Sequence, residues 1–179
     1  MNAVISEAYR EEQQNLHKNP SYGSASIMYA PMVSDVINTF KATDVLDYGA
    51  GKGRLSQNLT VDHDIKITMY DPAIPQFSEI PEPHELVVCI DVLEHIEPEY
   101  LDAVLDDLQR LTKRIGIFTI HTGPAIKVLS DGRNAHLTQE SPDWWLPKIM
   151  KRFNLKTMNA TSNGFHVIVK VKNGNIDIR

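Results

Sequence analysis

A chain of 179 residues with 42% hydrophobic content fits one globular domain with its own core, and a second full domain is not expected. The formal net charge of -5 leaves no basic footprint of the kind that phosphate neutralisation requires, so free nucleic acid is not an expected partner. The start, MNAVISEAYREEQQN, has no basic segment followed by an apolar block, and no apolar run is long enough to cross a bilayer; the expectation is a cytoplasmic chain without a membrane partner. The only cysteine, Cys89 in LVVCI, excludes an intramolecular disulfide and a cysteine-based metal cluster and reads as a small buried hydrophobe. No metal-ligand set stands out.

In chain order, residues 1–42 read as a helical cap and 43–179 as an α/β core of the same domain. Ser6 to Lys18 is polar and helix-compatible, NPSYGS is a turn, and Tyr29, Val33, Val36, Ile37 and Phe40 recur at helical spacing, with Pro31 tolerable near the start or at a kink. From residue 44 strands and helices alternate: TDVLDYG strand, GRLSQNL helix, KITMYD strand, HELVVCID strand, PEYLDAVLDDLQRLT helix, RIGIFTIH strand. In the last of these helices Leu101, Val104, Leu105, Leu108 and Leu111 share one face, while Asp102, Asp106, Asp107 and Arg110 read as a solvated one. A polar loop runs from Thr122 to about Glu140. PDWWLPKIMKRF then reads as a helix interrupted early by Pro147, and two β-rich runs joined at Ser162-Asn163-Gly164 form a terminal hairpin. Alternation of this kind predicts a mainly parallel sheet with helices on both faces, closed by an antiparallel hairpin.

The stretch DVLDYGAGKGRLSQNL concentrates glycines between a strand and a helix, where an open α/β sheet binds ligands. A Walker loop is excluded, because Leu46 and Gly53 stand where it needs a glycine and a Ser or Thr; the dinucleotide fingerprint is excluded by Arg54 at its third glycine. The pattern present is Asp47-x-Gly49-x-Gly51-x-Gly53.

That pattern resembles the first motif of class I S-adenosylmethionine-dependent methyltransferases. KITMYDP ends a second strand at Asp71, and VVCIDVLEHIEP resembles the family's fourth-strand motif, with Leu93-Glu94-His95 opening the next helix. The terminal hairpin resembles the family's sixth and seventh strands. The resemblance implies a Rossmann-like fold, S-adenosylmethionine as cofactor, and a cofactor site made of Tyr22, Asp47, Gly49, Ala50, Gly51, Gly53, Asp71, Pro72, Ile90 and Asp91. Asp71 would accept the two ribose hydroxyls. One departure stands out. PAIPQFSEIPEPH, with four prolines, leaves little room for the family's next helix and third strand, which is therefore expected to be reduced to an edge fragment or absent. Pro72, Ala73 and Ile74 would then offer adenine an apolar face. DGRNAHLTQ resembles small stand-alone methyltransferases of phage and bacterial genomes.

On the acceptor, two DNA-base classes are argued down. There is no Asp/Asn-Pro-Pro-Tyr/Phe after the fourth strand, and Cys89 does not follow a proline. The densest polar chemistry is in HTGPAIKVLSDGRNAHLTQESPDWW, where His121 and His136 are the candidate general bases for a small-molecule acceptor, with loop closure as the competing role for both; His95 reads as a helix-start residue. One of Trp144 and Trp145 belongs to the core, leaving the other for the acceptor pocket or a dimer contact. Two further activities remain open: a non-catalytic S-adenosylmethionine-binding sensor or partner subunit, and a sulfonium lyase or aminopropyl transferase.

Overall fold

The apolar runs VLDY, LVVCI and IGIFTI have few polar positions, as strands covered on both faces require. In the computed structural model, which describes residues 3–172, they lie at the centre of the sheet as β1 (Asp44–Tyr48), β3 (His84–Ile90) and β4 (Thr112–His121). With β2 (Lys66–Tyr70), β5 (Phe153–Ala160) and β6 (Gly164–Val171) they form one six-stranded sheet in the order β2-β1-β3-β4-β6-β5. The first four run parallel, Leu46 beside Val87 and Val88 beside Ile117, and β6 returns antiparallel to β4 with Ile168 opposite Ile117.

Successive side chains of a strand leave on opposite faces, and the core divides accordingly. Helices α4 (Leu101–Leu111) and α5 (Pro142–Arg152) bury the α4 leucines, Trp145 and Ile149 against Leu46, Val87, Cys89 and Phe118. On the other face α2 (Ala25–Phe40) and the short α3 (Arg54–Asn58) cover Val45, Leu86, Val88 and Ile117 with Val33, Ile37 and Leu55. The fold is thus the expected Rossmann-like one. No described strand lies between Asp71 and Pro83, only a short 3-10 turn at Pro75–Phe77, so β2 is the sheet edge and the third strand is absent rather than reduced.

Three local expectations are corrected. Asp107 is not on a solvated face: it is buried, accepts the Tyr48 hydroxyl at 3.2 Å and pairs with Arg110 at 2.8 Å. Asp102 and Asp106 are exposed but grip the buried Arg152 of α5 at 2.9 and 2.6 Å, a partner too distant in sequence to be foreseen. Pro147 does not interrupt α5, because it lies on the exposed face, where the amide hydrogen it lacks leaves only the exposed Asp143 without its helical bond. Trp145 is fully buried, and Trp144 lies under Lys148, with the ammonium 4.3 Å from its ring centre, rather than in a pocket.

Candidate active site

The carboxyl ends of the parallel strands converge. Gly49 follows β1, Asp71 follows β2, Asp91 follows β3, and His121 is the last residue of β4, so the strand-end chemistry read from the sequence is brought to one rim. A cavity of about 580 Å³ opens there, and it is lined by every cofactor-site residue named above except Gly53, together with His121 and His136. Helix α1 (Glu7–His17) forms its roof. The roof is latched at its start, where the backbone N–H and hydroxyl of Ser6 donate to the Glu97 carboxylate at 2.9 and 2.6 Å. Inside, Gln13 donates to the Tyr9 hydroxyl at 2.7 Å and accepts from Tyr22 at 3.2 Å.

The glycine turn is built from two kinds of bond. The Tyr70 carbonyl accepts the N–H groups of Gly49 and Ala50 at 2.8 and 3.0 Å, and the Asp71 carboxylate accepts Gly51 N–H at 2.9 Å and Ala73 N–H at 2.9 Å. Gly51 has φ +52°, and a Cβ on it would meet the His17 ring at 2.8 Å, so its bare backbone leaves room where α1 approaches the turn. Lys52 and Arg54 turn outward, donating to carbonyls of the α1–α2 connection at Asn19, Pro20 and Tyr22.

Gly53 departs from the expected role. It caps α3 at φ +66° and a Cβ there would lie 2.7 Å from Met69 Sδ, outside the cavity, so its glycine requirement is one of backbone shape. Gly53→Ala should cost stability, about 1–2 kcal/mol from the left-handed conformation, while cofactor affinity measured by calorimetry stays within twofold. A large affinity loss in a folded Gly53→Ala would place that residue back in the site.

Asp47 and Asp71 supply the negative charge. Asp47 is buried, its Oδ2 has no hydrogen-bond partner, and burial, reinforced by the neighbouring Asp71 charge, pushes its carboxyl up to about 7. An orphaned carboxylate oxygen in a cavity wall fits a cationic ligand, and S-adenosylmethionine carries a sulfonium and an ammonium; the residues present therefore fit this cofactor. Asp71 keeps lone pairs for hydroxyl donors beyond its two backbone bonds. Asp71→Ala should weaken cofactor binding by about 1.5–3 kcal/mol, since it removes a charged acceptor and the tie that shapes the glycine turn. Unchanged calorimetric affinity would remove Asp71 from the site.

The cavity also holds a chain of rings that starts at His17 beside the glycine turn. The centroid distances are 5.0 Å for His17–Tyr22, 6.4 Å for Tyr22–His95, 4.7 Å for His95–His136 and 4.8 Å for His121–His136. Burial lowers His17 and His136, and drives His95 down to about 3, so these three imidazoles are neutral at pH 7. Asp91 has φ 49°, an uncommon conformation for a residue with a side chain, and it is held there by reciprocal bonds with the Thr119 hydroxyl, both 2.9 Å. Sequence reasoning missed His17, Tyr9 and Gln13, because nothing in a polar helix announces what it will cover. It also read Glu94 and His95 as helix-start residues; they form a tight turn at Leu93–His95 with Glu94 fully buried.

Comparison with known proteins agrees with this geometry. A family profile described as a methyltransferase domain matches residues 12–166. No protein of curated function matches the sequence significantly. Among solved structures, 1,6-didemethyltoxoflavin-N1-methyltransferase of Burkholderia thailandensis, with 1,6-didemethyltoxoflavin and S-adenosylhomocysteine bound, is similar with a TM-score of 0.66 and 14% identity, over 97% of this chain and 94% of that one. Magnesium protoporphyrin IX methyltransferase of Synechocystis PCC 6803 is similar at TM-score 0.55 and 14% identity, over 93% and 95% of the two chains. The chain belongs to the methyltransferase domain family and is a class I S-adenosylmethionine-dependent methyltransferase. Among the described residues no helix is long and apolar enough to cross a membrane.

Proposed function

We propose that the acceptor is a small molecule, held in the roofed cavity between the glycine turn and the histidine cluster, and that His121 or His136 takes its proton. The observation that carries this reading is the cavity itself. At about 580 Å³, with α1 above it, it has the size of a small-ligand site rather than an open groove for a polymer. The net charge of -5 points the same way, away from free nucleic acid.

S-adenosylmethionine, when bound, supplies a methyl group on a sulfonium. The chain's own work is to align and dry the site. Asp47 and Asp71 would hold the cofactor end, and α1 and the 122–140 loop would exclude water, so that a nitrogen or oxygen lone pair of the acceptor could take the methyl carbon as the carbon–sulfur pair returned to sulfur. The acceptor's proton passes to a histidine. His136 presents Nδ1 to the Gly123 carbonyl at 2.7 Å, so with the proton on Nδ1 its Nε2 keeps a lone pair. His121 Nδ1 lies 3.2 Å from both the carbonyl and the N–H of Gly123, so either tautomer finds a partner there and the Nδ1-protonated one leaves Nε2 free to take a proton.

Incubating the chain with methyl-labelled S-adenosylmethionine and a whole-cell extract, then separating small molecules, RNA and protein, tests the reading. Label is expected in the small-molecule fraction. Label only in RNA or protein would overturn the acceptor class. Cofactor breakdown without a labelled acceptor would favour a lyase, and binding without turnover a sensor.

A further inference from the structure

We propose that Glu94, His95 and His136 form a binding site for one divalent first-row transition cation of the zinc class, at the acceptor end of the cavity. A potential ligand atom from each of the three lies within 4.8 Å of the other two. Ligands sharing an ion with bonds of about 2.0–2.1 Å stand up to roughly 4 Å apart, so small side-chain rotations close the remaining gap.

Two independent observations support a cation here. The first is the state of the histidines. His95 presents Nδ1 to the Ala135 carbonyl at 2.8 Å, and His136 presents Nδ1 to the Gly123 carbonyl at 2.7 Å. A proton on each Nδ1 leaves Nε2 as a bare lone pair on both rings, and this backbone-carbonyl support is how metal-binding imidazoles are commonly oriented. The second is Glu94. Its side chain is fully buried; one oxygen accepts the His121 backbone N–H at 2.9 Å, while the other, Oε2, is buried with no hydrogen-bond partner. A buried carboxylate oxygen without a partner is costly, and a coordinated cation would satisfy it together with the two lone pairs. The turn's backbone is held as well, since Thr138 N–H donates to the Glu94 carbonyl at 3.0 Å.

The donor set selects the ion. Two imidazoles and one carboxylate suit zinc, iron, cobalt or nickel, whereas magnesium and calcium take all-oxygen shells. Three protein ligands leave a coordination position open, and His95 and His136 both line the cavity, so that position faces the acceptor. In this arrangement His136 is a ligand, and His121, whose ring centre lies 4.8 Å from that of His136, remains to take the proton. The cation's role in turnover rests on the proposed methyl transfer; its binding does not.

The test is direct. The full chain is stripped with a chelator and titrated with Co2+ while the visible absorption is followed. One equivalent is expected to bind, with zinc displacing it and millimolar magnesium failing to do so. Glu94→Gln and His136→Asn should each weaken Co2+ binding by at least the ~10–100-fold that loss of an outer-shell partner costs, with circular dichroism confirming the fold. Asp62→Ala, which removes an exposed carboxylate paired with Lys41 and His63 away from the cavity, should leave it unchanged. Absence of stoichiometric Co2+ binding by the wild-type chain, or unaltered affinity in the folded variants, would overturn the site whatever the methylation assay gives. Conversely, stoichiometric Co2+ binding in a chain that transfers no methyl group would support the site and count against the proposed function alone.

Discussion

Replacing both His121 and His136 by Asn is expected to lower turnover by roughly 100-fold or more while affinity for S-adenosylmethionine stays nearly constant, the usual size of general-base catalysis. The separation of the two effects follows from geometry, since His121 ends β4 and His136 lies in the loop after it, whereas Asp47 and Asp71 belong to the ends of β1 and β2. Asn keeps a hydrogen-bonding group near the Gly123 carbonyl, so the loop should survive the change. Single variants then divide the roles: His121→Asn should slow turnover without touching metal binding, and His136→Asn should affect both. Near-normal activity in the folded double variant would defeat proton removal by histidine and leave alignment of the acceptor as the source of catalysis.

Asp47→Ala is expected to weaken S-adenosylmethionine binding by roughly 10–100-fold, the loss of a charged partner of about 1.5–3 kcal/mol, and at the same time to leave the free protein as stable or more stable at pH 8. The opposite signs have one cause. With its folded value raised to about 7 from an ordinary 3.8, Asp47 binds a proton more tightly in the folded chain than in the unfolded one. Its stabilising contribution is therefore complete below the unfolded value and is lost as pH rises towards 7. Above that the buried carboxylate is a liability until a cation meets it. Cofactor affinity in the wild type should accordingly rise with pH up to about 7 and then level off, and Asp47→Ala should erase this dependence. Calorimetry at several pH values checks both statements; an unchanged affinity in the variant would show that the orphaned oxygen does not face the cofactor.

The succession of strands and helices along the chain and the glycine turn were legible because they are local: apolar runs without alternation, glycines at a strand end and an acid closing the next strand each follow from neighbours in sequence. The missing third strand was legible for the same reason, since four prolines between Asp71 and His84 prevent helix and sheet bonding alike. What was not legible depends on long-range contact. Arg152 reaches Asp102 and Asp106 across two helices, and the buried Asp107 is satisfied by the Tyr48 hydroxyl from another element together with Arg110. Gly53 belongs to the motif by spacing yet serves the backbone, because Met69 fills the space beside it. The roof could not be read either. Helix α1 looks polar throughout, and its covering role appears only once Ser6 meets Glu97 and Tyr9 packs with Leu129 and Ala135. Likewise His95 and His136, 41 positions apart in the chain, become neighbours only when β3 and β4 align.

We infer that the cofactor sits under α1, against the glycine turn and Asp71. Hydrogen–deuterium exchange of the chain with and without S-adenosylhomocysteine tests it without any substitution. Amide protection should rise at residues 49–53, whose Gly51 N–H already donates to Asp71, at residues 71–74, and along α1 as the roof is pinned down. Saturating ligand that leaves these three segments unchanged, or protects a different face of the sheet, would contradict the assignment of the cavity.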